Sequence, residues 1–112
     1  MEPKPLSAFG PMWLLAMFDL PVELKEDRRN YARFRKVLLK DGFMMLQFSV
    51  YARYTPSEEA AEAHRKVIRA AVPPLGQVRV IAVTDHQFGK MEAFYGRRRK
   101  KPEEPQEQIL LF

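Results

Sequence analysis

Trp13-Leu14-Leu15-Ala16-Met17-Phe18-Asp19-Leu20-Pro21 is the stretch that decides the fold. Six apolar residues run together and stop at one acid, and Pro21 then bars the chain from continuing a ladder. A short apolar run ended by a breaker reads as a strand buried on both faces, at about 12–19. Asp19 lies where that strand surfaces, the only acid between Glu2 and Glu23. It either caps the turn before Pro21 or marks the place where the chain does chemistry.

Outward from this strand, residues 1–11 hold three prolines and read as a loose leader. On the other side, Tyr31, Phe34, Val37 and Leu38 place one apolar stripe on a helix over about 25–40. Glu23, Glu26 and Asp27 suit the start of its macrodipole, and Gly42 suits its C-terminal cap. Residues 43–54 are strand-forming but too long for one strand of ordinary length. They are expected to make two strands, roughly 43–47 and 48–54, joined near Gln47, with one long bent strand as the alternative.

Thr55-Pro56-Ser57-Glu58 predicts a helix start, with Thr55 as N-cap, Pro56 at N1 and Glu58 at N3. Ala60, His64, Val67, Ile68 and Ala71 form its expected buried face, and Pro73-Pro74 end it. Gln77 to Thr84 alternates as a strand, with Val78, Val80 and Ala82 on one side and Ile81 and Val83 on the other. A turn at Asp85-His86 then leads to a weaker extended piece over 87–94. Residues 97–106 read as a charged linker, and 107–112 as an apolar docking strand.

Strand, helix, strand, strand, helix, strand is the order of an α+β, ferredoxin-like βαββαβ sandwich. It is an antiparallel sheet with two helices on one face, here extended by the C-terminal strand. The domain is expected over 12–96, with the first strand inside the sheet.

The 112 residues suit one domain, and no apolar run approaches the roughly 20 residues of a membrane span. With no cysteine and no signal-peptide pattern, a cytoplasmic protein is expected. Net charge is +5, and the cations cluster: eight Lys/Arg against three acids over 24–54, then Arg97-Arg98-Arg99-Lys100-Lys101. Clustered cations point to a polyanion. Arg28, Arg29, Arg33, Arg35 and Lys36 on the first helix are candidate phosphate contacts, with Arg97, Arg98 and Arg99 behind them. A solvated helix face is the alternative. No groove-reading motif accompanies them, so binding is expected to ignore base sequence.

Asp19, if it is not a cap, can ligate Mg²⁺ and leave the remaining positions to water. One carboxylate makes a poor site, and a two-fold dimer would bring a second. His64 reads as a partly buried structural residue and His86 as an exposed one. No phosphate loop, dinucleotide fingerprint, zinc spacing or nucleophile triad is present.

Three segments together resemble one family. Met17-Phe18-Asp19-Leu20-Pro21, Tyr31-Ala32-Arg33-Phe34-Arg35-Lys36 and Gly42-Phe43-Met44-Met45-Leu46-Gln47-Phe48-Ser49-Val50-Tyr51 are similar to the second core CRISPR-associated protein, the small partner of the spacer-acquisition integrase. The match runs along residues 12–94, and the charged helix and apolar tail are similar to versions from compact single-effector CRISPR systems. The resemblance implies a symmetric homodimer in which two copies of Asp19 face each other as the Mg²⁺-binding, catalytic acid. It implies an endonuclease acting on single-stranded RNA or, in some members, duplex DNA. It also implies a bridge in a heterohexamer, one dimer of this chain between two integrase dimers with duplex DNA across it. In that role Ile109, Leu110, Leu111 and Phe112 would add a strand to a partner. A non-catalytic adaptor and an unrelated ferredoxin-like RNA-binding module are the alternatives.

Overall fold

The computed structural model describes residues 10–97. Its elements are β1 (Met12–Asp19), α1 (Lys25–Lys40), β2 (Met44–Gln47), β3 (Val50–Thr55), α2 (Glu58–Ala71), β4 (Gln77–Thr84) and α3 (Asp85–Gly89). The sheet order is β2-β3-β1-β4, with every neighbouring pair antiparallel. This is the expected ferredoxin-like βαββαβ arrangement, an open sheet with β1 inside it. Most of the expected leader, the basic run beyond Arg97, the rest of the linker and the docking strand lie outside the described residues.

The alternation of β1 divides its side chains between two environments. Leu14, Ala16 and Phe18 are buried against Tyr31, Phe34 and Leu38 of α1 and Ala61 and Ile68 of α2. Phe18 meets the rings of Tyr31 and Phe34 edge-on, at 5.7 and 5.1 Å. Val78, Val80 and Ala82 of β4 join this core, as their alternation predicted. The other face of β1, Trp13, Leu15 and Met17, is only half-buried. The expectation of burial on both faces therefore holds for one face within the protomer, because both long helices cover the same side of the sheet.

Local chemistry explains the element ends. The N-cap of α1 is Leu24, which has no side-chain acceptor, so the buried Asp27 carboxylate accepts the Leu24 N–H at 3.2 Å. After α1, Gly42 takes φ +90°, and the amides of Gly42 and Phe43 donate to the carbonyls of Leu39 and Leu38. Residues 43–54 do split in two, but β3 starts at Val50, and Phe48 and Ser49 form the turn.

Three other expectations need correction. Thr55 does not cap α2: it is the buried last residue of β3, and its hydroxyl donates to the Met12 carbonyl at 3.1 Å. Ser57 caps instead, accepting from the Ala60 amide at 3.2 Å. The helix thus begins at Glu58, and Ala61 rather than Ala60 reaches the core. Residues 85–89 form α3 rather than an extended piece, because Thr84 and Gln87 make a reciprocal capping box. Phe88 of α3 then stacks on Trp13 at 4.0 Å, and Trp13 Nε1 donates to Asp85 Oδ1 at 2.8 Å.

Candidate nucleic-acid and metal site

The end of β1 is held in place by two turns. The Phe18 amide donates to the Ser49 carbonyl at 3.0 Å, which ties the β2–β3 turn to the residue before Asp19. Ser49 adopts φ +62°, a left-handed conformation that costs a non-glycine residue about 1–2 kcal/mol. Its Oγ hydrogen-bonds Tyr31 Oη at 3.1 Å, so α1 helps hold the strained turn. On the other flank Gly76, at φ +97°, lies so close that a Cβ there would sit 2.6 Å from the Asp19 carbonyl oxygen. Strain and close approach thus surround one exposed acid.

Asp19 opens to solvent, and among the described residues its carboxylate has no hydrogen-bond or ion-pair partner. It lines a cavity of about 240 Å³ with Met17, Phe18, Ser49, Val50, Gln77 and Arg79. In the ladder Asp19 stands opposite Gln77, and Met17 opposite Arg79. Opposite residues share a face, so Asp19, Gln77 and Arg79 all belong to the side of the sheet that the two long helices leave bare.

Among the described residues no three His, Cys, Asp or Glu side chains gather as a metal site. The lining residues with side-chain oxygens are Asp19, Gln77 and Ser49, the last already bonded to Tyr31. A hard cation such as Mg²⁺ takes one or two carboxylates and keeps several waters. Within the described residues a single carboxylate is thus the one charged oxygen donor that such a cation would find here.

The basic residues of α1 separate into two groups. Arg29, Arg33, Lys36 and Lys40 are exposed and recur at intervals of four, three and four residues. That spacing makes one cationic stripe about 16 Å long. Arg33 Nη1 also donates to Asn30 at 3.1 Å. Arg28 is committed differently: its Nη1 donates to the carbonyls of Val22 and Glu23, at 3.2 and 2.7 Å, bracing the turn after Asp19. Arg35 is half-buried, with Nε buried and without a hydrogen bond. Its guanidinium lies near Tyr51, whose phenol burial pushes up in pKa and the Arg35 charge pulls back. Arg97 is exposed, whereas Arg98, Arg99 and Ile109, Leu110, Leu111 and Phe112 lie outside the described residues. Reading the sequence missed Lys40, Ser49, Gln77 and Arg79. Lys40 was legible from helical spacing, but the cavity residues meet only through strand register.

His64 is structural, as expected: its Nδ1 lies 2.7 Å from Asp41 Oδ2 and joins α2 to the end of α1. Of the aromatics over residues 43–54, Phe43 and Tyr51 are core, while Phe48 and Tyr54 are exposed. Among the described residues no helix is long and apolar enough to cross a membrane.

These features define a class: small ferredoxin-like α+β proteins that carry a lone, open acid at the end of the central strand. The family model for CRISPR-associated protein Cas2 matches residues 12–91. The chain belongs to this Cas2 family. It is similar to the CRISPR-associated endoribonuclease Cas2 of Flavobacterium psychrophilum, 45% identical over 96% of this chain and 93% of the relative. The protein of the same name from Parvibaculum lavamentivorans is 48% identical over 90% of this chain and all of the relative. That from Acidovorax ebreus is 47% identical over 76% and 83%.

Proposed function

We propose that this chain is a Mg²⁺-dependent endoribonuclease that works as a homodimer within a CRISPR system, with single-stranded RNA as its first substrate. The observation that carries this reading is Asp19: a strand-end carboxylate with no partner among the described residues, in a chain whose curated relatives are named endoribonucleases. A bound Mg²⁺ would polarise the phosphodiester and lower the pKa of an attacking water. The chain's own residues would do the rest. Asp19 would hold the cation, the Ser49 turn and Gly76 hold the strand-end backbone that carries it, and Arg28 braces the loop behind it. A second copy would cover the bare face at Leu15, Met17, Tyr54 and Ile81, of which Ile81 is 49% exposed. It would also supply the second carboxylate.

Asp19→Asn tests this. Mg²⁺-dependent cleavage of single-stranded RNA should disappear while folding and RNA binding persist. Cleavage by the variant at the wild-type rate would defeat the catalytic role.

A second reading is favoured by the stripe Arg29-Arg33-Lys36-Lys40, which lies on the helix layer, away from the bare sheet face. Here the dimer is a bridge between two integrase dimers, gripping duplex DNA with this stripe and Arg97, and reaching the partner through Ile109–Phe112. If Asp19→Asn leaves spacer acquisition intact while Arg33→Ala/Lys36→Ala abolishes it, the bridging role dominates. Persistence of the partner complex after removal of residues 106–112 would reject tail docking.

A further inference from the structure

Arg79 has no role in either reading, and its position is unusual. It projects from β4 onto a sheet face whose other β4 members are Gln77, Ile81 and Val83. Being opposite Met17, it is the diagonal neighbour of Asp19, at a typical separation of roughly 7–8 Å and somewhat less between Cβ atoms. An arginine is long enough to close that gap, yet the two charges do not pair. Among the described residues neither has a hydrogen-bond or ion-pair partner. Both line the cavity of about 240 Å³, where among the described residues Arg79 is the only cationic side chain. At about 30 Å³ per liquid water, that space holds a phosphate group with waters to spare.

From this geometry we infer that Arg79 is the phosphate-gripping residue of the Asp19 site. Its planar fork takes two non-bridging oxygens of one phosphodiester, the pairing for which a guanidinium is shaped. Asp19 at the opposite rim repels that same group unless a cation lies between them. The arrangement thus favours a phosphodiester together with a divalent ion over either alone. The Gln77 amide and Ser49 hydroxyl, on the same cavity wall, are neutral partners for the sugar or remaining oxygens. This inference rests on the reading of Asp19 as the nucleic-acid site, but it is tested by binding rather than turnover.

The experiment uses the full chain with fluorescein-labelled single-stranded RNA and, in a second arm, labelled duplex DNA. Anisotropy is read with and without Mg²⁺, across a salt series, for the wild type, Arg79→Ala, Arg79→Lys and Asp19→Asn. Circular dichroism checks folding, and sedimentation checks oligomeric state. Loss of one charge-assisted bidentate contact should weaken Mg²⁺-supported RNA binding about 10- to 100-fold in Arg79→Ala. The slope of log affinity against log salt should fall by about 0.7 for single-stranded RNA. Arg79→Lys should keep the slope but recover only part of the affinity. Where cleavage is measurable, KM should rise more than kcat falls.

Unchanged affinity and slope in Arg79→Ala on both nucleic acids overturns the inference, as does a wild type that binds neither. Dissociation of the dimer by Arg79→Ala and Asp19→Asn alike overturns it too, and shows instead that Arg79 pairs with the second copy's acid. If Arg79→Ala weakens binding while Asp19→Asn leaves cleavage untouched, the phosphate contact stands and the endoribonuclease reading fails.

Discussion

Gly76→Ala offers a sharp test of how the end of β1 is held. The added methyl would meet the Asp19 carbonyl oxygen at 2.6 Å, Leu20 Cδ2 at 2.7 Å and Leu20 Cα at 3.0 Å. Two of these three atoms are backbone, and the backbone in question belongs to the central strand and its exit. Relief by side-chain rotation is therefore not open, and overpacking of this kind costs typically about 1–3 kcal/mol. The φ of +97° adds about 1 kcal/mol for any residue with a Cβ. Together the loss is about 2–4 kcal/mol, and each kcal/mol lowers the melting temperature by roughly 4–8 °C in a domain of this size.

Gly42→Ala is the built-in comparison. Its φ is +90°, so the backbone cost is alike, but its methyl would meet only the Arg53 side chain, with Nε at 2.9 Å. Arg53 can swing away, losing its 3.0 Å bond to the Asp41 carbonyl, for a total of about 1–2 kcal/mol. Urea unfolding at matched protein concentration measures both, since dissociation of the proposed dimer would otherwise move the midpoint. From the middles of the two ranges, Gly76→Ala should be the worse by about 1.5 kcal/mol. It should also reduce RNA cleavage below what its folded fraction accounts for, because the Asp19 carbonyl must shift. Equal losses at the two glycines, or full activity per folded Gly76→Ala molecule, would refute the account.

Other consequences are as direct. Phe34 is 1% exposed between the helices and the sheet, so Phe34→Ala should cost about 3–5 kcal/mol, whereas Phe48→Ala, in the exposed turn, should cost under about 1 in chemical denaturation. Leu15→Glu should leave the protomer folded but raise the dimer dissociation constant by roughly 100-fold or more in sedimentation equilibrium, because it buries an unpaired charge in the proposed interface. The fluorescence of Trp13, the sole tryptophan, reports the same change because it lies on that face. Tyr51 is neutral in the fold, with its pKa raised above 10.0 chiefly by burial. Its contribution is thus fully present below pH 10 and is lost as pH rises towards the folded value. Tyr51→Phe should remove that alkaline decline, at a cost of about 1 kcal/mol near neutrality for losing the weak Arg35 contact. Glu58 has its pKa lowered by its hydrogen bonds from Arg65. That contribution is present above its unfolded value of about 4.5 and fades as pH falls through the lower folded value. Glu58→Gln should flatten the acid limb by under about 1 kcal/mol, as befits a half-buried pair still screened by solvent.

What could be read from the chain and what could not divides by the range of the interaction responsible. The apolar run at 13–18, the stripe Tyr31-Phe34-Leu38 and the alternation over 78–83 are local periodicities, and they placed the first strand, the first helix and the last strand of the sheet correctly. The start of the second helix was misplaced because Thr55 had two possible partners. A long-range bond to Met12 took its hydroxyl, and Ser57 became the cap. The short helix at 85–89 carried its Thr-x-x-Gln signal in plain view, but the Trp13 ring that it packs on lies 75 residues from Phe88 in the chain.

The same division holds at the site. By itself the sequence determined that this is a ferredoxin-like protein of one recognisable family, with a lone acid ending its central strand and cations on its first helix. Those facts depend on residue type and spacing along short segments. Tertiary structure alone decided that Arg28 and Arg35 turn inward and that Arg29, Arg33, Lys36 and Lys40 remain outside. It alone set Ser49, Gln77 and Arg79 around Asp19. Strand register is a contact between distant residues, and no local pattern states which two strands will lie side by side or at what offset.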